Sequence, residues 1–267
     1  YVSDKNRGKA SAFVDIAWGL GIMSGPLLAS YALTTDYGWR LAFIIAAVPS
    51  FPLIVIYWFV ASEPKRGQSE NRHISHIPDD EKISFSGLKA ILSNRTNIFL
   101  FLQGIPGSIP WGLLPFWIIT FFREERGFST QDATMIWEVF GIATVVGGLL
   151  WAMLGDYLFQ RRAKYVSILC SSVIVLGMIP EYLLLNMEFS QQWNYWALAI
   201  MGGLFISVAS SNTRALLMNV NSPNQRGRVF SYYNFFDSIG KGLGPAIGGI
   251  ILATTSDYQL MANIAVS

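Results

Sequence analysis

The chain has 267 residues, 52% hydrophobic and 13% charged, with a formal net charge of +2 and a mean hydropathy of +0.39. That is more apolar surface than a soluble core of this length takes in. It points to lipid as the solvent and excludes disorder, a collagen-like repeat, a coiled coil and a disulfide-stapled secreted domain.

Near-continuous apolar windows cover 10–34, 40–61, 97–122, 130–155, 164–185, 194–219 and 229–254, each long enough to cross a bilayer as a helix. An eighth begins near Tyr258 and stops at Ser267. Runs this long and this continuous predict helices rather than the short alternating strands of a barrel, so the fold class is all-α, a polytopic membrane helical bundle. The lone cysteine, Cys170, has no internal disulfide partner. At Tyr1 there is neither a Met nor a signal-peptide layout, and the expectation is a piece of a longer protein.

The long polar stretch 62–96 reads as a linker between two groups of spans. In it Ile83, Phe85, Leu88, Ile91 and Leu92 recur at helical spacing beside Lys82, Lys89 and Arg95, predicting an amphipathic helix on the membrane surface. His73 and His76 also lie there; no further Cys, His or carboxylate joins them, so they read as solvated side chains and no metal is expected. Fourteen of the 19 Lys and Arg fall on the side that carries Lys5, the linker, Arg161, Arg162, Lys164, Arg226 and Arg228, and three on the other. The positive-inside rule therefore puts Tyr1 and the linker in the cytoplasm, as in a multi-pass protein of the plasma (inner) membrane. These basic loops lack aromatic interleaving, so the expected partner is the lipid bilayer and not nucleic acid.

An internal repeat emerges when Ser3–Ser30 is laid over Ser222–Gly249 at an offset of 219, without gaps. Ser3/Ser222, Arg7/Arg226, Gly8/Gly227, Gly21/Gly240, Gly25/Gly244 and Pro26/Pro245 are identical, and they fall on a basic turn and on a G-x-x-x-G-P stretch, residues with backbone roles. The offset covers six spans, so the unit is a six-helix bundle repeated in parallel, the arrangement of one large class of secondary transporters. On this reading 1–61 holds the last two spans of an N-terminal bundle, 62–96 is the cytoplasmic linker, and 97–267 holds five spans of a C-terminal bundle and the start of its sixth. Seven spans and part of an eighth make an incomplete bundle.

Ionisable groups inside spans are costly unless paired or wetted, which makes each a candidate for function. They are Asp15, Glu138, Arg214, Asp237 and Lys241, with Asn234 as a neutral companion. Asn234, Asp237 and Lys241, spaced i, i+3, i+7, share one face that should look inward, and Asp15 is the repeat partner of Asn234. An ion pair that only neutralises buried charge and a role in substrate or proton binding are both open for Asp237. Glu138 has no local partner and is the best single candidate for a protonatable carboxylate. A side chain at the interface that simply reaches water is equally consistent. Ser207, Ser211 and Arg214 share a face and suit a polar headgroup, or serve as glue between helices. The span 97–122 holds Pro106, Pro110 and Pro115 with three glycines, predicting a discontinuous helix whose Gln103 and Trp111 face a cavity. Gly21, Gly25, Pro26, Gly240, Gly244 and Pro245 permit close helix approach and a bend, and their presence in both halves predicts a symmetric structural role. Asp156, at the end of its span, is expected to meet a neighbouring helix N-terminus.

The "RGKA" turn at Arg7, "GLGIMSGP" at Gly19, "GWRLAFI" at Gly38, the "GDYLFQRRAK" loop at Gly155 and the "RGRVF…GLGP…GG" end together resemble the major facilitator superfamily over essentially the whole chain. The resemblance implies that the spans are the fifth to eleventh helices of twelve, with the twelfth begun. It also implies alternating access about a midplane site lined by the seventh and tenth. Gln103–Ile118 and Asn219–Phe230 resemble the spinster-like branch, which implies a lysolipid or sphingoid-like substrate. The basic loop departs from the family pattern, with Ala152 where Gly is usual, Tyr157 for the first Arg, and one extra residue before Arg161 and Arg162.

The expected function is secondary active transport of a small organic or amphiphilic solute, with protons as a candidate coupling partner. No cofactor is expected, since no Walker, zinc or nucleophile-elbow motif occurs, and an enzyme is not expected. The rival suggested by the span count is a seven-helix receptor, against which stand the parallel repeat and the position of the linker.

Overall fold

The computed structural model describes residues 7–61, 91–222 and 225–266; His73, His76 and the amphipathic stretch from Ile83 to Lys89 lie outside them. The described residues form α1 (Arg7–Leu33), α2 (Trp39–Ala47), α3 (Ser50–Val60), α4 (Arg95–Glu124), α5 (Thr130–Arg161), α6 (Lys164–Asn186), α7 (Gln192–Ile206), α8 (Val208–Val220), α9 (Arg226–Thr255) and α10 (Tyr258–Val266).

Five stretches among them are long and apolar enough to cross a membrane: Trp39–Val60, Arg95–Glu124, Thr130–Arg161, Lys164–Asn186 and Gln192–Val220. The expected seven also included α1 and α9. In α1 the described apolar stretch is Ile16–Ala29, and in α9 Arg226, Arg228, Asp237 and Lys241 lower the hydropathy. Large side chains such as Trp58 and Phe59 stand 81% exposed, as suits helices whose solvent is lipid rather than water.

Three local expectations change. The stretch read as a basic loop from Gly155 is helix through Arg161; Arg and Gln are good helix formers, and a charged side chain ends an apolar window without ending a helix. α4 is one continuous 30-residue helix through Pro106, Pro110 and Pro115, not a discontinuous one, as neighbouring helices in membranes commonly hold such helices together. The window 194–219 divides at Ser207.

α4 and α9 run parallel and touch through two stripes of small residues. Gly104, Ser108 and Gly112 on α4 face Gly240, Gly244 and Gly248 on α9, each set four residues apart. A Cβ at Gly240 would lie 2.9 Å from that of Ser108 and run into the Ile105 carbonyl; one at Gly244 would meet the Ile109 carbonyl and the Leu113 N–H. Without hydrophobic drive between helices in lipid, such close backbone approach is a main source of association. Gly21 and Gly25, the repeat partners of Gly240 and Gly244, meet nothing within 4 Å among the described residues. α5 likewise runs beside α7 and α8, with Gly203 against Phe140 and Gly147 against Leu204. α1 lies on α5 and α8.

Apolar clusters close both ends of this bundle. Phe121, Phe122, Ile136, Tyr195 and Ala262 pack at the Arg126 end, and Ile91, Phe101, Leu217 and Val229 at the Arg95 end. At the latter, the fully buried Asn97 and Asn221 exchange two amide hydrogen bonds of 2.8 Å each. Asn221→Ala leaves Asn97 Oδ1 without its donor, while Asn97 Nδ2 keeps only its bond to the Ile91 carbonyl. The expected cost is about 1–3 kcal/mol, read as a lower thermal-unfolding midpoint in detergent.

Candidate functional site

The main cavity lies between α1, α4, α5, α8 and α9. Its polar centre is on α9. Lys241 Nζ donates to Asp237 Oδ2 at 2.8 Å, one helical turn away, and Ser108 Oγ of α4 donates to Asp237 Oδ1 at 2.5 Å. Both carboxylate oxygens are thus engaged. The ammonium of Lys241 also stands 4.9 Å from the Trp18 ring centre on α1, an attraction of about 0.5–2 kcal/mol depending on solvation. Trp18 meets Trp111 of α4 edge-on, with centroids 6.1 Å apart. One cation therefore ties three helices together, and it can do so because Gly112 lies directly against the Lys241 carbonyl.

The rest of the lining divides by chemistry. Trp137, Phe140 and Tyr233 add aromatic faces; Ser207, Ser210, Thr213 and Thr144 add hydroxyls; Gln103 and Arg214 add an amide and a second cation. Among the described lining residues, Lys241 and Arg214 against Asp237 give a formal charge of +1. Such a site, largely apolar with a few convergent polar groups, is how proteins hold small organic molecules.

Of the residues singled out from the sequence, Gln103, Trp111, Ser207, Arg214, Asp237 and Lys241 come together around this cavity. Asn234 does not: it lies on α9 nearer the Arg226 end, exposed. Glu138 is half-buried on α5 outside the lining, with an Oε1 that has no hydrogen-bond partner. The side chains of Asp15 and Ser211 fall outside the described set. Asp156 is buried at 9% exposure, while Arg161 and Arg162 are exposed, Arg161 bonding the Tyr157 hydroxyl with its guanidinium 4.7 Å from the ring centre. Pro26 and Pro245 sit within their helices, and Trp117 Nε1 donates to the Pro245 carbonyl at 3.3 Å.

Sequence reasoning missed Ser108, Trp18 and Glu181. Ser108 had a readable sign, being the middle member of the Gly104, Ser108, Gly112 spacing. Trp18 had none, since its contacts with Lys241 and Trp111 depend on where α1 lies against α9 and α4. Glu181 on α6 met the same criterion as Glu138, a carboxylate in an apolar span, and was passed over.

A family model described as Major Facilitator Superfamily matches residues 1–245. Among similar proteins, the "Cis,cis-muconate transport protein" of Acinetobacter baylyi is 24% identical over 189 residues, covering 68% of this chain and 44% of that protein. The "Multidrug resistance protein MdtG" of Salmonella arizonae is 28% identical over 252 residues, 89% of this chain and 57% of the relative. The "Proton-coupled antiporter flippase LtaA" of Staphylococcus epidermidis is 22% identical over 266 residues, 97% and 60%. The chain spans about half the length of these relatives.

Proposed function

The chain belongs to the Major Facilitator Superfamily and is a multi-pass integral membrane protein, and we propose that it supplies part of a secondary active transporter whose solute site is the cavity around Asp237 and Lys241. The observation that carries this is the paired charge at the cavity's centre, held by three helices. A lone ion pair in hydrocarbon is expensive, and one that lines a wetted cavity between helices is the arrangement transport requires. The names of these relatives support transport rather than catalysis or reception.

The substrate class we infer is a small amphiphilic organic acid. The charge of +1 among the described lining residues, with indole and phenyl walls, suits a carboxylate, or another anionic head, on an apolar body. The muconate relative supports the organic-acid end of that class, and the LtaA relative, a flippase by name, the lipid-like end. Kinship to spinster-like proteins, with a lysolipid substrate, is the finer form of the second alternative and rests on Gln103–Ile118 and Asn219–Phe230. The domain reading belongs to the same proposal: 1–61 would close one six-helix bundle, 62–96 would be a cytoplasmic linker and 97–267 would form most of the other, in the plasma (inner) membrane. Gly21 and Gly25 would then be covered by helices of the first bundle, as Gly240 and Gly244 are covered by α4.

Uptake into proteoliposomes by the protein at its natural length tests this, with labelled muconate, a polyol, a lipophilic cation and a lysolipid supplied in parallel. The reading expects saturable uptake of an anionic member, lost on Asp237→Asn. Uptake of the polyol or the cation alone would overturn the substrate class. Proton coupling is proposed through Glu138, whose Oε1 is buried without a hydrogen-bond partner. Glu138→Gln is expected to abolish the stimulation of uptake by an imposed pH gradient while leaving counterflow. Stimulation that survives the substitution would rule Glu138 out.

A further inference from the structure

We propose that Gln103 is a specificity-determining residue of the central cavity, and that the solute is a hydroxylated carboxylic acid, its anionic head at Lys241 and a hydroxyl on the Gln103 amide. This rests on the reading of that cavity as the site of an anionic solute, and narrows the class.

Several polar groups of the lining are already committed to the protein itself. Ser108 Oγ donates to Asp237, Ser207 Oγ to the Leu204 carbonyl at 2.8 Å and Thr144 Oγ1 to the Phe140 carbonyl at 2.9 Å. Lys241 gives an N–H to Asp237 and, as an ammonium, has others left for an anion. Gln103 differs from the three hydroxyls. It is exposed along the cavity, and among the described residues its side-chain amide has no hydrogen-bond partner.

Gly107, one turn further along α4, is what lets the amide stand there. A Cβ at residue 107 would run into Gln103 Nε2 and lie 3.1 Å from Cδ, so the side chain lies over the bare backbone of that glycine. Residues 103, 107 and 111 share one helical face, and all three line the cavity. The amide is thus held on the wall that also carries the Trp111 ring.

A primary amide presents donors and an acceptor side by side. A hydroxyl answers both, accepting from the N–H and donating to the C=O. A carboxylate only accepts, an ammonium only donates, and a hydrocarbon chain leaves both amide groups unmet. Because Lys241 and Gln103 line the same cavity, one small molecule with a carboxylate and a hydroxyl can engage both.

Saturation-transfer NMR on the purified protein at its natural length, titrated with butanoate, 3-hydroxybutanoate and 4-hydroxybutanoate, tests this. The readout is the ratio of affinities, hydroxylated over plain acid. At least one hydroxylated acid is expected to bind about tenfold tighter than butanoate, the worth of roughly one added hydrogen bond. Gln103→Leu, which keeps the bulk of the side chain, is expected to bring that ratio to about one. Gly107→Ala leaves Gln103 in the chain but pushes its amide aside, and is expected to lower the ratio at least about threefold. Thermal unfolding midpoints establish that both variants are folded. Butanoate binding as tightly as both hydroxylated acids overturns the proposal, as does a preference that survives Gln103→Leu; in either case the cavity remains an anion site. No binding of any of the three acids, or binding indifferent to Lys241→Gln, overturns the anion reading itself, and this inference with it.

Discussion

Gly244→Leu is expected to separate α4 from α9 and leave little folded protein. A Cβ at residue 244 points at the Ile109 carbonyl and the Leu113 N–H, so what must yield is backbone rather than a movable side chain. Overpacking of a core by side chains costs about 1–3 kcal/mol, and a clash with backbone sits at or above the top of that range. Gly242, two residues away, meets nothing within 4 Å among the described residues, and Gly242→Ala is expected to be silent. Fluorescence-detected size-exclusion chromatography and thermal unfolding on both variants would read this out. A Gly244→Leu protein that elutes and melts like the original would mean that the two stripes of small residues do not hold the helices together.

The second large effect is expected at the ion pair. Asp237→Asn leaves Lys241 without its counter-charge, and Lys241→Gln leaves Asp237 with Ser108 alone. Breaking a fully buried pair costs about 3–5 kcal/mol. These side chains are 20% and 33% exposed, and screening reduces the expected cost to about 1–2 kcal/mol. The double variant Asp237→Asn with Lys241→Gln is expected to recover most of that stability, because no lone charge remains. If the pair only neutralises charge, uptake should recover along with stability. If the lysine meets the solute's anionic head, uptake is expected to stay down about a hundredfold, since the cavity has then lost it. Recovery of uptake in the double variant would reduce the pair to a structural device.

Much of the helical layout was readable from composition alone, because in lipid an apolar window and a crossing helix are nearly the same thing. The window 97–122 became Arg95–Glu124, and 164–185 became Lys164–Asn186. Readability failed where hydropathy and helicity part company. The helix through Asp156 and Arg161 is polar at its end, and the division at Ser207 leaves no mark in an apolar count. At the site, the Asp237 and Lys241 pair followed from spacing on one helix. The hydrogen bond from Ser108 and the ring of Trp18 against Lys241 did not, since they depend on the register of α4 against α9 and on where α1 lies. The repeat drew attention to Gly240 and Gly244, which the structure places in close approach to α4.

The central claim is that the cavity around Lys241 is a transport pathway open by turns to each side of the membrane. Thr213 lines it and is half-buried. A Thr213→Cys variant in a Cys170→Ser background, at the protein's natural length, can be treated with a membrane-impermeant maleimide in right-side-out and in inside-out vesicles. The account predicts labelling from both faces, with each reduced by the transported solute. Labelling from neither face, or from one face whatever the solute and gradient, would contradict it.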